Sequence, residues 1–180
     1  CGRIREYKDT IREKLPLADC IAAIDDARTP VVTITGGEPL LYPELPALIA
    51  AAIERKKHIY LCTNGILLKE YLEKIAPSPR LNINVSLDGM GATHDRLRNK
   101  EGVFNKAIEG ITAAKKKGFR VVINTTVYYD TEKSELITLF ELLKRIGADG
   151  ILTAPGFSYF QSDREIFLTR EQIREKFRSL

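Results

Sequence analysis

Four short stretches of the 180-residue chain place polar groups at spacings that suit ligand chemistry. The first is Gly36-Gly37-Glu38-Pro39. Two adjacent glycines let the backbone approach a ligand closely, with carbonyl oxygens free to accept hydrogen bonds. Glu38 adds a carboxylate, so this corner suits a cationic group such as an amino acid's ammonium. It is not a phosphate loop, because neither GxxxxGKS/T nor GxGxxG occurs. The second stretch is Cys62-Thr63-Asn64-Gly65. In the third, Ser86 and Asp88 stand two apart, which on a strand points both the same way. A hydroxyl and a carboxylate so placed can hold a carboxylate and a sugar diol. The fourth is Asn124-Thr125-Thr126. Any one of these also reads as an ordinary turn, since Gly, Asn and Asp favour turns. A fifth strand end, Ala154-Pro155-Gly156, falls in the same place, and the convergence of all five on one rim is the argument for a site.

The remaining reactive side chains say less. Cys62 reads either as a small buried residue, the commoner fate of a free cysteine, or as a rim thiol able to donate a hydrogen atom. Cys20, between Asp19 and Ile21, reads as structural, and Asp95 beside His94 reads as a helix-start feature. His58 and His94 are too scattered for a metal pair. No Ser-His-Asp or paired-carboxylate set can be assembled. The three cysteines, at 1, 20 and 62, form no CxxC, so neither a zinc spacing nor a disulfide framework is visible. Few free thiols suit a reducing cytoplasm.

The elements that must position these residues alternate. Candidate strands are 31–35, 58–62, 82–87, 120–127 and 150–153, with starts 27, 24, 38 and 30 residues apart. That is the spacing of consecutive βαβ units. Runs such as Val31-Val32-Thr33-Ile34 lack clean alternation, as parallel strands do. Between them lie stripes of helical period: Leu45, Leu48, Ile49, Ala52 and Ile53; Val103, Ala107, Ile108 and Ile111; Leu136, Phe140, Leu143 and Ile146. A first helix spans 17–27, Gly118 and Gly147 stop two others, and Thr169 and Gln172 form a capping box before Ile173, Phe177 and Leu180. Pro77-Ser78-Pro79 makes a tight turn into a strand. The expected class is α/β with a mostly parallel sheet in one domain over 1–180. A partial barrel and an open doubly wound sheet both fit this pattern, and in either the ligand gathers at the strands' C-terminal ends.

Composition excludes several classes. The chain is 44% hydrophobic and 29% charged, which argues against disorder and low complexity. No apolar run approaches the ~20 residues of a membrane helix. Net charge is only +4, and a continuous basic stripe with interleaved aromatics is missing, so nucleic acid is not the expected partner. Arg55-Lys56-Lys57 and Lys115-Lys116-Lys117 fall at predicted helix ends, where they oppose the helix dipole. The chain opens on Cys1-Gly2 rather than Met, so an excerpt of a longer protein is expected.

Taken in order, these motifs resemble the radical S-adenosylmethionine (radical SAM) superfamily across essentially the whole chain. The resemblance implies a partial (β/α)6 barrel, TIM-like, and a CxxxCxxC loop holding a [4Fe-4S] cluster. Cys1 matches the third cysteine of that loop, and the first strand and other two ligands would precede it. Gly36, Gly37 and Glu38 match the motif that receives the methionyl ammonium, and Ser86 and Asp88 the positions for the methionyl carboxylate and ribose. Thr63, Asn64 and Asn124 are further contacts, and residues 153–156 would lie near the adenine. Longer strings, among them Lys57 to Asn64, Glu101 to Phe104, Gly118 to Val121, Asn124 to Val127 and Gly147 to Gly150, look like the hopanoid-biosynthesis branch, adenosylhopane synthase. That likeness implies addition of a 5′-deoxyadenosyl radical to diploptene, a transferase reaction. It also implies an electron donor such as flavodoxin or ferredoxin, peripheral membrane contact, and an apolar mouth lined by Ile34, Phe157, Tyr159 and Phe160. Cys62 would then be the catalytic hydrogen donor. A radical SAM enzyme acting on a peptide or nucleoside, and a non-catalytic module on the same fold, are the alternatives.

Overall fold

The computed structural model describes residue 10 and residues 13–156 and 166–179. The order is α1 (Leu17–Ala27), β1 (Val31–Ile34), a 3-10 turn (Pro39–Leu41), α2 (Leu45–Glu54), β2 (His58–Thr63), α3 (Leu68–Tyr71), β3 (Leu81–Ser86), α4 (Gly91–Arg98), α5 (Val103–Lys116), β4 (Arg120–Val127), α6 (Lys133–Arg145), β5 (Gly150–Pro155) and α7 (Arg170–Ser179). All five predicted strands form, each within two residues of its expected ends. α7 opens with the anticipated reciprocal cap: Thr169 N–H donates to Gln172 at 2.8 Å, and Gln172 N–H donates to the Thr169 hydroxyl at 3.3 Å. Gly118 and Gly147 take the left-handed conformation that ends α5 and α6 (φ +82° and +80°). α4 escaped the sequence pattern because it carries no apolar stripe; its one buried residue is His94.

The strands pair in parallel in the order β1-β2-β3-β4-β5. This order decides between the two architectures the sequence left open. A doubly wound sheet reverses its strand order at a switch point, which sends helices to both faces. A sheet that adds strands in one direction through crossovers of one hand keeps its helices on one face. The described sheet is therefore a segment of a barrel wall. On its helix side Ile59, Leu61, Leu81, Ile83, Val85, Val121 and Ile123 are buried with Leu45, Ile49, Ala52, Ala107, Ile111, Leu139 and Leu143 in one core. Ile34 packs against that same core and pairs with Leu61, so it does not line a mouth as expected. Phe157, Tyr159, Phe160 and Leu180 lie outside the described residues.

The other face carries the alternate residues, and among the described residues none of the helices α2, α5 and α6 that build the core covers it. Tyr60 there is 37% exposed and Leu152 53%. Parallel sheets are ordinarily covered on both faces.

Close approach fixes one helix against the β2–α3 loop. A Cβ built on Gly110 of α5 would stand 2.9 Å from Leu68 Cβ and 3.0 Å from the Gly65 carbonyl oxygen. Gly110→Ala should therefore destabilise by up to ~2 kcal/mol, the overpacking cost of ~1–3 kcal/mol less the ~1 kcal/mol gained in helix propensity. Urea unfolding of the full chain measures it, and a gain in stability would contradict the packing described.

Candidate functional site

The parallel register gathers the sequence motifs at the strands' C-terminal ends. Ile34 pairs with Leu61, Thr63 with Val85, Ser86 with Asn124 and Thr125 with Thr153. Gly36, Thr63, Ser86, Asn124 and Thr153 thus share one rim.

Gly36 and Gly37 form the bend after β1, and both are exposed. Neither has a positive φ, and a Cβ at either would meet nothing within 4 Å. Nothing among the described residues demands glycine there. Gly65 differs: its φ of +79° and a 2.9 Å approach to Val85 Cγ1 both require glycine. The open space over Gly36-Gly37 is a cradle that side chains would fill.

Glu38, half-buried, is tied to the neighbouring loop. Its Oε1 accepts from Leu40 N–H (3.1 Å) and from the Thr63 hydroxyl (2.7 Å), and its Oε2 accepts from Asn64 N–H (2.9 Å). Thr63, 3% exposed, in turn accepts from Gly65 N–H at 3.1 Å. The Asn64 carboxamide oxygen accepts from Ile66 N–H at 2.9 Å.

Ser86 and Asn124 sit side by side at the ends of β3 and mid-β4, half-buried on the helix-free face. Neither side chain has a hydrogen-bond partner among the described residues. Asp88 differs from expectation. β3 ends at Ser86, so the two-residue alternation stops there, and the Asp88 side chain turns inward to 1% exposure. Its Oδ2 pairs with Arg98 at 2.5 Å and its Oδ1 accepts from Thr126 N–H at 2.9 Å. Its own N–H donates to His94 Nδ1 at 3.1 Å. Asp88 therefore does not share the open face with Ser86; it braces the β3 end against α4 and β4. Asp95 is a helix-start feature, though of the following helix: its carboxylate accepts from Gly102 N–H (2.6 Å) and Phe104 N–H (2.8 Å) at the start of α5.

Cys62 lies one residue before the end of β2, half-buried on the helix-free side. Asn84 of β3 donates to its sulfur at 3.8 Å. Burial raises the thiol's pKa and outweighs the opposing bond from Asn84, so the group stays S–H at neutral pH. Asn84 was missed in the sequence. Its carboxamide oxygen is buried without a donor. The signal was the alternation Asn82-Ile83-Asn84-Val85-Ser86 in a central strand, which puts three polar side chains on one face. Cys1, the expected cluster ligand, lies outside the described residues, and among those described no group of three His, Cys, Asp or Glu could hold a metal. No described helix is long and apolar enough to cross a membrane.

A singly wound parallel sheet with a glycine cradle, a polar rim and an uncovered inner face defines a ligand-binding (β/α) half-barrel. The profile of the Radical SAM superfamily matches residues 1–143, and the chain belongs to that superfamily. The superfamily's cofactors are a [4Fe-4S] cluster and S-adenosylmethionine. The AdoMet-dependent heme synthase of Methanosarcina barkeri is 36% identical over 66% of this chain and 34% of its own length. The GTP 3′,8-cyclase of Synechocystis is 33% identical over 63% of this chain and 35% of its own. The chain thus spans about a third of the curated relatives it matches. Among solved structures, SuiB of Streptococcus suis superposes with a TM-score of 0.76 at 21% identity, over 93% of this chain and 41% of that one. SuiB has also been solved with S-adenosylmethionine bound.

His94 generates a test of the brace. It is 2% exposed, and burial with the nearby Arg98 charge lowers its pKa to about 4 from the usual 6.5. The neutral ring is the form the fold accepts. Its contribution is complete above pH 6.5 and is lost as pH falls toward about 4, at up to ~1.4 kcal/mol per pH unit. His94→Asn, which keeps an acceptor at the Nδ1 position, should flatten the fall in stability between pH 6.5 and 4. Identical pH profiles for both proteins would sink the assignment.

Proposed function

We propose that the chain is the central part of a radical SAM enzyme that acts on a polar substrate of peptide or nucleotide type. The observation that carries this is the Ser86–Asn124 pair: two polar side chains adjacent in register, half-buried and without partners, facing the uncovered interior beside an open glycine cradle. Unpaired polar groups in such a place are costly unless a ligand satisfies them.

When bound, the cluster and S-adenosylmethionine supply an electron and a 5′-deoxyadenosyl radical. In this reading Gly36 and Gly37 offer backbone carbonyls to the methionyl ammonium, while Ser86 and Asn124 hold the methionyl carboxylate and ribose. Cys1 would be one cluster ligand, with two more in a preceding loop, and flavodoxin or ferredoxin the electron donor. The sheet's interior face excludes bulk water from one side of the radical's path. Cys62 is the candidate hydrogen donor to a substrate radical, because its S–H is kept protonated on that face.

The substrate class rests on the lining. Tyr60, Asn84, Ser86 and Asn124 alternate out of the core, beside Val122 and Leu152, and give the interior floor amides and hydroxyls around a smaller apolar part. Such groups read peptide or nucleotide donors and acceptors well and a hydrocarbon poorly. SuiB, solved with its precursor peptide SuiA, and the GTP cyclase relatives carry such substrates in their names. The second reading, addition to diploptene giving adenosylhopane, rests on the longer strings of the sequence. It calls for an apolar mouth with membrane contact, and Ile34, its one described wall residue, packs into the core instead.

The test uses the full-length protein, reconstituted anaerobically. It should release 5′-deoxyadenosine under reduction, and Ser86→Ala or Asn124→Ala should weaken S-adenosylmethionine binding about tenfold while shifting the melting temperature little. Unchanged affinity in both variants would contradict the assignment. No 5′-deoxyadenosine from the wild type would favour a non-catalytic module. Product that forms with diploptene and with neither GTP nor a peptide would restore the hopanoid reading. Cys62→Ala should keep 5′-deoxyadenosine release and change the product distribution; an unaltered product leaves Cys62 a packing residue.

A further inference from the structure

Glu38 has more hydrogen-bond partners inside the chain than a ligand-holding carboxylate needs. An ionised carboxylate offers about four acceptor positions. Three are filled here, by Leu40 N–H, the Thr63 hydroxyl and Asn64 N–H. The direction of the Thr63 bond is fixed. A carboxylate can only accept, so the single Thr63 hydroxyl proton goes to Glu38, while the same oxygen accepts from Gly65 N–H. The result is a continuous chain from the loop after β2, through Thr63, into the loop after β1. Between β1 and Glu38 stand only Thr35, Gly36 and Gly37. The two glycines have no side chains to hold them, and a Cβ there would touch nothing. The cradle is thus suspended between the end of β1 and the Glu38 carboxylate.

We infer that Glu38 and Thr63 act together as a latch that presets the Gly36-Gly37 backbone for the cofactor's ammonium, so that Glu38 is chiefly a positioning residue rather than a direct ligand. This rests on the cofactor assignment above. It assigns Thr63, nearly inaccessible at 3% exposure, an effect on cofactor affinity that it exerts without touching the cofactor. Two adjacent glycines are the most flexible dipeptide a chain can use. A segment left to order itself on binding loses affinity for that ordering, and a latched one does not.

The experiment compares Thr63→Val, Thr63→Ser, Glu38→Gln and the Glu38→Gln/Thr63→Val double variant in the reconstituted full-length protein. S-adenosylmethionine affinity is measured by equilibrium dialysis. Amide hydrogen exchange over residues 35–41 and 63–66 is measured without the cofactor. The latch requires Thr63→Val to weaken binding about tenfold, Thr63→Ser to restore it to within twofold, and the double variant to be no weaker than the worse single one. It also requires faster exchange in both segments of cofactor-free Thr63→Val and Glu38→Gln. Thr63→Val binding within twofold of wild type while Glu38→Gln is weakened would overturn the inference and make Glu38 a direct ligand. So would unchanged exchange in Glu38→Gln, a comparison that still decides if Thr63→Val fails to fold. A wild type that binds no S-adenosylmethionine at all sinks the cofactor assignment instead, and the exchange measurement then reads the latch separately.

Discussion

Every strand of the described sheet is added on the same side of the one before it, and the rest of the structure follows from that constraint. Crossovers of a single hand place α2, α5 and α6 on one face of β1 to β5. That face takes Ile, Leu and Val, and its burial is the main stabilising term. The opposite face is left without a helix. In a parallel sheet such a face must close on itself as a barrel or receive a ligand, because half of its side chains are otherwise stranded at intermediate exposure. Polar residues at these alternate positions, Asn84, Ser86 and Asn124, are what a wet or occupied interior tolerates and a packed core does not.

The rim divides its polar groups into two populations. Glu38, Thr63, Asp88 and His94 have their bonding groups engaged within the chain, across neighbouring loops. They hold the strand ends at fixed separations. Among the described residues Ser86, Asn124 and the Gly36-Gly37 backbone are left free, and Asn84 has one buried oxygen without a donor. A preorganised site needs both kinds: groups that meet the ligand, and groups that spare the ligand the cost of ordering them. The Asp88–Arg98 pair belongs to the first population's logic. Its carboxylate is almost fully removed from water, and only the guanidinium together with Thr126 N–H makes that burial tolerable.

Much of this was legible in the residues. The β-branched runs, their spacing of about 30 residues, the helix-ending glycines and the Thr169–Gln172 cap are local signals, and local signals survive folding because they depend on neighbours in sequence. The motif glycines at 36 and 37 are of the same kind. So is the convergence of four motifs on one rim, since parallel strands carry their C-terminal ends to the same side.

Orientation across strands was a different matter. That Asp88 turns inward depends on where β3 stops, and a one-residue change in a strand's end reverses the face a side chain takes. That Ile34 joins the core depends on its pairing with Leu61. The alternation around Asn84 showed its face, but its neighbours Cys62 and Val122 came only with strand pairing. The sequence alone determined the element types, their order and the chemistry available at the strand ends, because these follow from local periodicity and composition. Only the tertiary structure decided that the sheet winds one way, which face stays open, and which polar groups bond to the chain rather than remain for a ligand. Those depend on register between residues 20 to 40 positions apart, and no local pattern encodes them.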